Sequence, residues 1–324
     1  MRVLFFGTPD FAVPSLEALV GEGFDVVGVV TRPDRPVGRH RSTAEPSAVK
    51  RAALAEDISV LQPERPSDDG FSAEVRALDP DVSVVVAYGH ILKSALLGVP
   101  RLGSVNVHAS LLPALRGAAP IERAILEGRS ETGITIMQMD AGMDTGPILH
   151  QVATPIAADE TGGELRVRLA EMGALALVEA LTLLESGGLA PRPQDHKAAT
   201  MAPKLTREEE RLDWRHGADV IARKIRAFDP APGAWAELRG KAVKLFGGRV
   251  AGGTSPEVGA GGREEPTGES AAAPGTVLVV GEVVRIACGR GAVEVSDLQP
   301  AGKARMTAKA LANGRGIAAG DVLR

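Results

Sequence analysis

The chain has 324 residues, a formal charge of −4 at pH 7, 44% hydrophobic residues and 24% charged residues. This length predicts two domains, and the composition is typical of a folded globular protein rather than a fibrous or disordered one. No apolar run reaches the roughly 18 residues of a membrane span, and the single cysteine, Cys288, excludes an internal disulfide and a cysteine-based zinc cluster.

The first 187 residues alternate apolar strands with helices. The chain enters a strand at Arg2 with no signal-peptide pattern ahead of it, so we expect a cytoplasmic protein without a membrane partner. The predicted strands are 2–7, 25–31, 81–87, 103–108 and 133–139, and the predicted helices are 10–21, 46–56, 71–78, 118–126 and 161–184. Thr161 and Glu164 form a capping-box pattern at the start of the last helix. Strands joined by helical crossovers predict an α/β fold with a Rossmann-like, doubly wound, mostly parallel sheet.

The pattern changes after residue 187. Residues 188–204 are rich in proline and polar residues and are predicted to link a domain at 1–187 to a second domain at 205–324. There, one helix at 217–227 precedes short strands at 234–238, 242–246, 275–280, 283–287 and 292–298. Such strands bounded by glycines predict a small OB-like β-barrel of about five strands. The Gly-, Ala- and Ser-rich residues 251–274 are predicted to be a disordered insert.

Polar side chains follow two of the predicted strands. Alternation along the strand that ends at His108 puts Asn106 and His108 on one face, and Asp144 lies on a glycine-rich turn after the strand at 133–139. A histidine at the end of a strand more often has a structural role. Only the presence of Asn106 on the same face and of Asp144 after a neighbouring strand favours a catalytic role for His108. Asn106 and His108 could stabilise an oxyanion, and Asp144 could hold the imidazole and favour its charged form.

No side-chain nucleophile accompanies this set. Ser110 lies in a turn, where a hydroxyl typically bonds the backbone. The residues therefore indicate an acyl-transfer site whose attacking group, such as a free amine, comes from the substrate. The first strand-to-helix turn, Gly7 to Phe11, has one glycine where the dinucleotide fingerprint needs three, which disfavours a nicotinamide cofactor and leaves plain helix capping as likely as a ligand contact.

Several segments resemble the methionyl-tRNA formyltransferase family. They are Gly7–Ala12, Val84–Gly89, Asn106–Ile121 and Glu131–Gly146 in the first part of the chain, and Lys204–Trp214, Ile225–Pro230 and Leu298–Lys303 in the second. The run from Asn106 to Pro113 is shared with the wider group of folate-dependent formyltransferases. The C-terminal segments are what indicate the tRNA-directed family.

The resemblance implies that 10-formyltetrahydrofolate, as co-substrate, donates a formyl group to the α-amino group of methionine on initiator tRNA. It implies that Asn106, His108 and Asp144 are catalytic and that no metal is needed. It also implies a folate pocket, whose walls would be Ser110, Leu111, Leu112, Pro113, Val86, Ala87, Tyr88 and Asp140. No obligate protein partner is evident.

The contacts with tRNA rest on basic residues. Up to Lys204 there are 19 Lys and Arg against 26 Asp and Glu, and from Leu205 onward there are 18 against 15, so the second part is mildly basic. The resemblance implies that the loop at 31–41 reaches the acceptor stem, through Arg39 and Arg41, and that Lys244 and Lys303 contact phosphates. A solvated surface is the alternative interpretation of each. Ala114–Leu115 and Ala231 depart from residues common in the family.

Three alternatives stay open. A formyltetrahydrofolate hydrolase or a sugar-nucleotide formyltransferase could use Asn106, His108 and Asp144 unchanged. The basic loop and the C-terminal β-domain argue against both, since a small acceptor needs neither. A non-catalytic folate- or RNA-binding module is the third, and the intact set of three residues argues against it.

Overall fold

The computed structural model describes residues 1–36, 44–66, 68–252 and 272–324, which form two compact units. The first contains Met1–Pro120, Glu131–Pro155 and Arg166–Pro203, and the second contains Ile121–Ser130, Ile156–Leu165 and Lys204–Arg324. Of the linker expected at 188–204, residues 188–203 cluster with the first unit, in which Met201–Ala202 pairs in parallel with Arg116–Gly117.

Seven strands form the central sheet of the first unit. They are β1 (Arg2–Gly7), β2 (Asp25–Val30), β3 (Val60–Leu61), β4 (Val82–Val86), β5 (Ser104–His108), β6 (Glu131–Gln138) and β7 (Ile148–Pro155). Their order across the sheet is β7-β6-β5-β4-β1-β2-β3, and only β6 runs antiparallel to its neighbours. The strand order reverses beside β1, so the carboxyl ends of β1 and β4 open a crevice of the kind in which such sheets bind ligands.

The predicted doubly wound, mostly parallel sheet is confirmed. Strand β4 is buried at all five positions, as expected for a β-branched run without alternation in a parallel sheet. Strands β3 and β7 were not predicted. The two residues of β3 are too few for a pattern, and the burial of β7 does not alternate. β7 lies at the edge of the sheet, where Pro155 costs no ladder hydrogen bond.

Six helices occur between residues 13 and 185, and side-chain capping is seen at the starts of two of them, α2 and α6. They are α1 (Val13–Gly21, after a 3₁₀ turn at Asp10–Ala12), α2 (Ala48–Ala55), α3 (Asp69–Ala77), α4 (Ser94–Leu97), α5 (Pro120–Leu126) and α6 (Gly162–Glu185). The Ser47 hydroxyl caps α2 by accepting from the Lys50 amide at 3.0 Å. At α6 the Thr161 amide donates to Glu164 at 2.9 Å and the Glu164 amide donates to the Thr161 hydroxyl at 3.2 Å, so the predicted capping box forms. Within the described ranges, no helix is both long and apolar enough to span a bilayer.

Besides most of α5 and the first turn of α6, the second unit contains two helices and eight short strands. The helices are α7 (Ala218–Ala227) and α8 (Ala308–Asn313), and the strands are β8 (Ala234–Leu238), β9 (Lys241–Phe246), β10 (Arg249–Val250), β11 (Val277–Val280), β12 (Val284–Ala287), β13 (Ala292–Val295), β14 (Asp297–Pro300) and β15 (Met306–Thr307). Two four-stranded antiparallel sheets result, in the orders β8-β9-β14-β15 and β10-β13-β12-β11. The buried face of α7, with Ile221 and Ile225, belongs to the same apolar core as Leu245 and Val293.

One predicted strand, 292–298, is two strands in different sheets. β13 pairs with β12, whereas β14 pairs with β9, and the chain changes sheets at Ser296, whose amide donates to the Phe246 carbonyl at 3.2 Å. Strands that switch sheets make the corners of such folds. The apolar–polar alternation shifts by one residue here, because Ser296 and Asp297 are both polar between Val295 and Leu298. The single strand predicted over 292–298 overlooked that shift. Of the predicted insert, residues 253–271 lie outside the described residues.

Candidate active site

Asn106 and His108 lie at the carboxyl end of β5, two residues apart on one face. The register pairs Asn106 with Val85 of β4 on one side and with Met137 of β6 on the other. The Asn106 side chain is partly buried, and within the described ranges its amide makes no hydrogen bond. It is therefore a donor available to a ligand at the end of the strand.

One ring nitrogen of His108 is hydrogen-bonded, and the other faces Asp144. Its side chain is 6% exposed, Nε2 lies 2.9 Å from the Leu115 carbonyl oxygen, and Nδ1 lies 3.7 Å from Asp144 Oδ2. A carbonyl oxygen can only accept, so this contact assigns a proton to Nε2. Nδ1 then carries a proton only when the ring is charged, and that proton is directed toward the Asp144 carboxylate. The 3.7 Å separation is longer than a hydrogen bond and allows a reacting atom to approach Nδ1.

Asp144 sits in a left-handed turn, with φ of 52°, a conformation that Asp adopts more readily than most residues. Its Oδ2 accepts a hydrogen bond from the Gly117 amide at 2.8 Å. Gly117 has φ of 120°, and a Cβ there would lie 2.8 Å from the Ala202 carbonyl oxygen. Glycine is therefore required at position 117, and its amide fixes the carboxylate next to His108.

Residues from the segment 188–203 complete this arrangement, and no sequence pattern predicted their part in it. The Gln194 side chain, 6% exposed, donates to the Asp144 carbonyl at 3.0 Å and to the Gly146 carbonyl at 2.7 Å. Its oxygen accepts from Arg116 Nη2 at 2.6 Å and from Nε at 3.1 Å. Thr200 supports the other side, because its hydroxyl accepts from the Leu115 amide at 2.9 Å. One segment thus holds both the Asp144 turn and the carbonyl that orients His108.

The Ser110 turn is closed by internal hydrogen bonds. The Ser110 hydroxyl donates to the Ala114 carbonyl at 2.6 Å, as expected for a turn serine, and so it is not directed at His108 as a nucleophile. Thr135 on β6 donates to the Ser110 carbonyl at 2.6 Å and accepts from the Leu112 amide at 3.0 Å. The Leu112–Pro113 peptide is cis. Leu112 is buried, and Leu111 and Pro113 are partly buried.

The other predicted folate-pocket residues follow β4 and β6. Val86 and Tyr88 are buried and Ala87 is exposed. The Thr8 hydroxyl donates to the Tyr88 carbonyl at 3.1 Å, which joins the ends of β1 and β4. Burial raises the pKa of Tyr88 to about 12, so its phenol stays neutral. The Asp140 carboxylate is committed to its own turn, where it accepts from the Gly142 amide at 2.9 Å and the Thr145 hydroxyl at 2.6 Å.

The predicted tRNA contacts divide into two groups. Arg39 and Arg41 lie outside the described residues. Lys244 is partly buried and donates to the Pro232 carbonyl, whereas Lys303 is exposed. Lys244 therefore supports the backbone of its own unit, and Lys303 is the more accessible of the two.

Family models match most of the chain. Residues 1–181 match the family described as formyl transferase, and residues 204–316 match the formyl transferase C-terminal domain. Together with the doubly wound sheet and the strand-end set of Asn106, His108 and Asp144, these matches define the class as a two-domain formyl transferase.

Curated relatives narrow the class. The methionyl-tRNA formyltransferase of Thiobacillus denitrificans is 48% identical over 324 residues, which cover 100% of this chain and 99% of the relative. That of Halorhodospira halophila is 47% identical, covering 99% of this chain and 98% of the relative. The chain belongs to the methionyl-tRNA formyltransferase family.

Solved structures agree on the fold. HypX from Aquifex aeolicus is 19% identical with a TM-score of 0.66, over 95% of this chain and 48% of that one. An N-formyltransferase from Helicobacter canadensis, solved with folinic acid and dTDP-3-aminofucose, is 17% identical with a TM-score of 0.66, over 93% and 99%. The methionyl-tRNA formyltransferase from Clostridium thermocellum is 14% identical with a TM-score of 0.55, over 78% and 95%. At these identities the similarity is one of fold alone.

Proposed function

We propose that this protein transfers the formyl group of 10-formyltetrahydrofolate to the α-amino group of methionine on initiator tRNA, in the cytoplasm. The observation that carries the proposal is the strand-end pair His108 and Asp144, in a chain that is similar over nearly its whole length to methionyl-tRNA formyltransferases. The hydrolase, sugar-nucleotide and non-catalytic alternatives gain no support from these full-length relatives, which are all named for one activity.

The chemistry needs no covalent enzyme intermediate. The neutral amine of the aminoacyl ester, which titrates near neutrality like other α-amino groups, attacks the formyl carbon. The C–N bond that forms produces a tetrahedral oxyanion, and the bond from the formyl carbon to the folate nitrogen then breaks. The amine loses one proton and the departing folate nitrogen gains one, so charge and atoms balance.

Each of the three residues has a defined part. The free Asn106 amide and the Nδ1 proton of charged His108 donate to the oxyanion, which is the largest electrostatic contribution expected of such a site. The Leu115 carbonyl keeps the His108 ring oriented through Nε2. Asp144 stabilises the charged ring and, through water, moves the proton from the attacking amine toward the folate nitrogen.

We also propose where the folate and the tRNA bind. We assign the folate to the crevice at the ends of β1, β4 and β5, against the Ser110–Pro113 turn and Val86–Tyr88. Because Asp140 is bonded within its own turn, its contribution is to shape that turn. We assign acceptor-stem contacts to Arg39 and Arg41, and a phosphate contact to Lys303 rather than to Lys244.

The test is formyl transfer from 10-formyltetrahydrofolate, with methionyl initiator tRNA, methionyl elongator tRNA, uncharged tRNA and water as separate acceptors. The expected result is fast formylation of the methionyl initiator tRNA alone. Folate turnover at the same rate with water would assign the protein as a hydrolase. Equal rates with both methionyl-tRNAs would refute the initiator specificity while leaving the transferase assignment intact.

A further inference from the structure

The second unit contains a cavity whose lining includes none of the residues assigned to the catalytic set or the folate pocket. Its volume is about 560 Å³, which is within the usual range for small-molecule sites. All of its lining residues belong to the second unit. Apolar side chains, including Ile125, Ile156 and Val250, form part of the wall. Four arginines form another part: Arg129, Arg223, Arg226 and Arg249.

Three of the four guanidinium groups are neutralised. The pairs are Arg129 with Glu127 at 2.8 Å, Arg223 with Asp219 at 3.2 Å, and Arg249 with Asp159 at 3.3 Å. The two remaining carboxylates of the wall are also engaged. Glu294 binds Arg285 at 2.6 Å, and Glu160 accepts from the Ala157 amide at 3.1 Å. No carboxylate of the cavity is therefore left over for Arg226.

Arg226 is the exception. It is partly buried, and within the described residues no carboxylate lies within 4 Å of its guanidinium. Among the described residues its one hydrogen bond is a long contact of 3.3 Å from Nη1 to the Gly248 carbonyl, and they provide no acceptor for its buried Nε. Burial lowers the pKa of Arg226; Asp159 opposes that shift, and the nearby charges of Arg223 and Arg249 add to it. A desolvated, unpaired guanidinium costs free energy, which an anionic ligand would recover.

We infer that this cavity binds a phosphate group through Arg226, with Arg223 and Arg249 beside it. Arg223 is one helical turn before Arg226 on α7, and guanidinium groups bind phosphate oxygens in bidentate fashion. The phosphate comes either from the backbone of an RNA or from a free phosphorylated compound, whose apolar part the wall of Ile125, Ile156 and Val250 accommodates. The inference does not depend on the formyl-transfer proposal, because phosphate binding is measured without either substrate.

The first experiment titrates inorganic phosphate into the full-length protein at constant ionic strength, with chloride as the matched anion, by calorimetry and by the shift in thermal midpoint. Arg226→Met keeps the apolar stem of the side chain and removes the charge. We expect it to bind phosphate at least about tenfold more weakly, the size of one lost charge-assisted contact. Arg315→Met, at an exposed arginine outside the cavity, is the control and should bind phosphate as the wild type does.

Stability distinguishes a binding role from a structural one. Because Arg226 has no anionic partner in the described part of the chain, Arg226→Met should have at least the wild-type thermal midpoint in buffer alone. Arg226→Lys keeps the charge without the planar fork and should bind phosphate more weakly than wild type; it decides the question if the methionine variant fails to fold. Equal phosphate affinity in wild type and Arg226 variants, or no binding beyond that of chloride, would overturn the inference.

A second titration identifies the source of the phosphate. If it is an RNA backbone, Arg226→Met should reduce the slope of log K against log salt for uncharged tRNA by about one, while Arg315→Met leaves it unchanged. If it is a free compound, the tRNA slope stays at the wild-type value, inorganic phosphate binding is still lost, and nucleoside monophosphates compete with phosphate. Both outcomes support the cavity, and formylation assays are not involved in either.

Discussion

Gln194 connects the segment 188–203 to Asp144, and replacing it with leucine tests that connection. Leucine has a similar volume and no polar atoms. The substitution removes two hydrogen bonds to the carbonyls of Asp144 and Gly146, and two bonds that Arg116 donates to the Gln194 oxygen. Arg116 is 6% exposed. Without the Gln194 oxygen, its guanidinium keeps, among the described residues, only the 3.2 Å contact of Nη2 with Nδ1 of His196.

The magnitude follows from those bonds. The two neutral bonds contribute about 0.5–1.5 kcal/mol each, and leaving the buried Arg116 charge short of an acceptor costs about 1.5–3 kcal/mol. We therefore expect Gln194→Leu to lower the free energy of unfolding by about 2.5–6 kcal/mol. Because a displacement of about 1 Å at a catalytic group can cost about a hundredfold in rate, we expect kcat to fall by about tenfold to a hundredfold. KM for methionyl-tRNA should change by less than about threefold, since Gln194 does not contact substrate in this account.

The assay combines urea unfolding with steady-state formylation at a temperature where the variant is fully folded. Gln299→Leu is the matched control. Gln299 makes one exposed hydrogen bond, of 3.0 Å to the Lys303 carbonyl, and its loss should change stability by less than about 0.5 kcal/mol and leave kcat unaltered. A folded Gln194→Leu protein with wild-type kcat would refute the positioning role.

Three further predictions concern separate parts of the molecule. Gly117→Ala places a Cβ 2.8 Å from the Ala202 carbonyl oxygen at φ of 120°, so it should lower the free energy of unfolding by about 1–3 kcal/mol and also lower kcat. Gly281 has open space around it, and Gly281→Ala should change neither quantity. Equal effects of the two substitutions would contradict the strain at position 117. Hydrogen bonds from the Thr161 amide and hydroxyl lower the pKa of Glu164. The ionised Glu164 side chain therefore stabilises the folded protein fully above its ordinary pKa of 4.5, and this stabilisation is lost as the pH falls through the lowered pKa of the folded state. Glu164→Gln should therefore reduce stability by less than about 1 kcal/mol at pH 7, and the difference from wild type in urea unfolding should disappear toward pH 2; a difference that persists there would contradict the assignment. Arg39→Ala should weaken tRNA binding and flatten its salt dependence, and an unchanged slope would move the acceptor-stem contact elsewhere.

The parts of the site that could be predicted are those set by local pattern. The two-residue period of a strand puts Asn106 and His108 on one face, whatever the position of the strand in the sheet. A glycine-rich turn after an apolar strand indicates that Asp144 lies on a loop at the end of that strand. Ser110 behaves as expected for a turn residue, with its hydroxyl bonded to Ala114. Each of these features is determined by residues close together in the chain, so it could be predicted from the sequence alone.

The parts that could not be predicted depend on contacts between distant segments. Gln194 stands 50 residues after Asp144, in a stretch whose prolines and polar residues are typical of a linker, and a buried glutamine leaves no periodic signal. Leu115 contributes a carbonyl oxygen, which every residue has, so its part in orienting His108 is invisible in the residue type. Ser296 and Asp297 shift the alternating pattern by one residue. Whether such a shift makes a bulge within one sheet or a change of sheet depends on the strands that pair on either side. In each case tertiary pairing decides the structure.

In the proposed mechanism, His108 and Asp144 perform the formyl transfer. The single-turnover rate of formylation with saturating methionyl initiator tRNA and 10-formyltetrahydrofolate tests it most directly, because product release does not contribute. His108→Ala and Asp144→Ala should each reduce this rate by at least about a hundredfold, with tRNA affinity preserved. Asp57→Ala, at an exposed aspartate with nearly the same backbone conformation (φ of 56° against 52°), should retain the wild-type rate. A wild-type rate in the His108 or Asp144 variant would contradict the account.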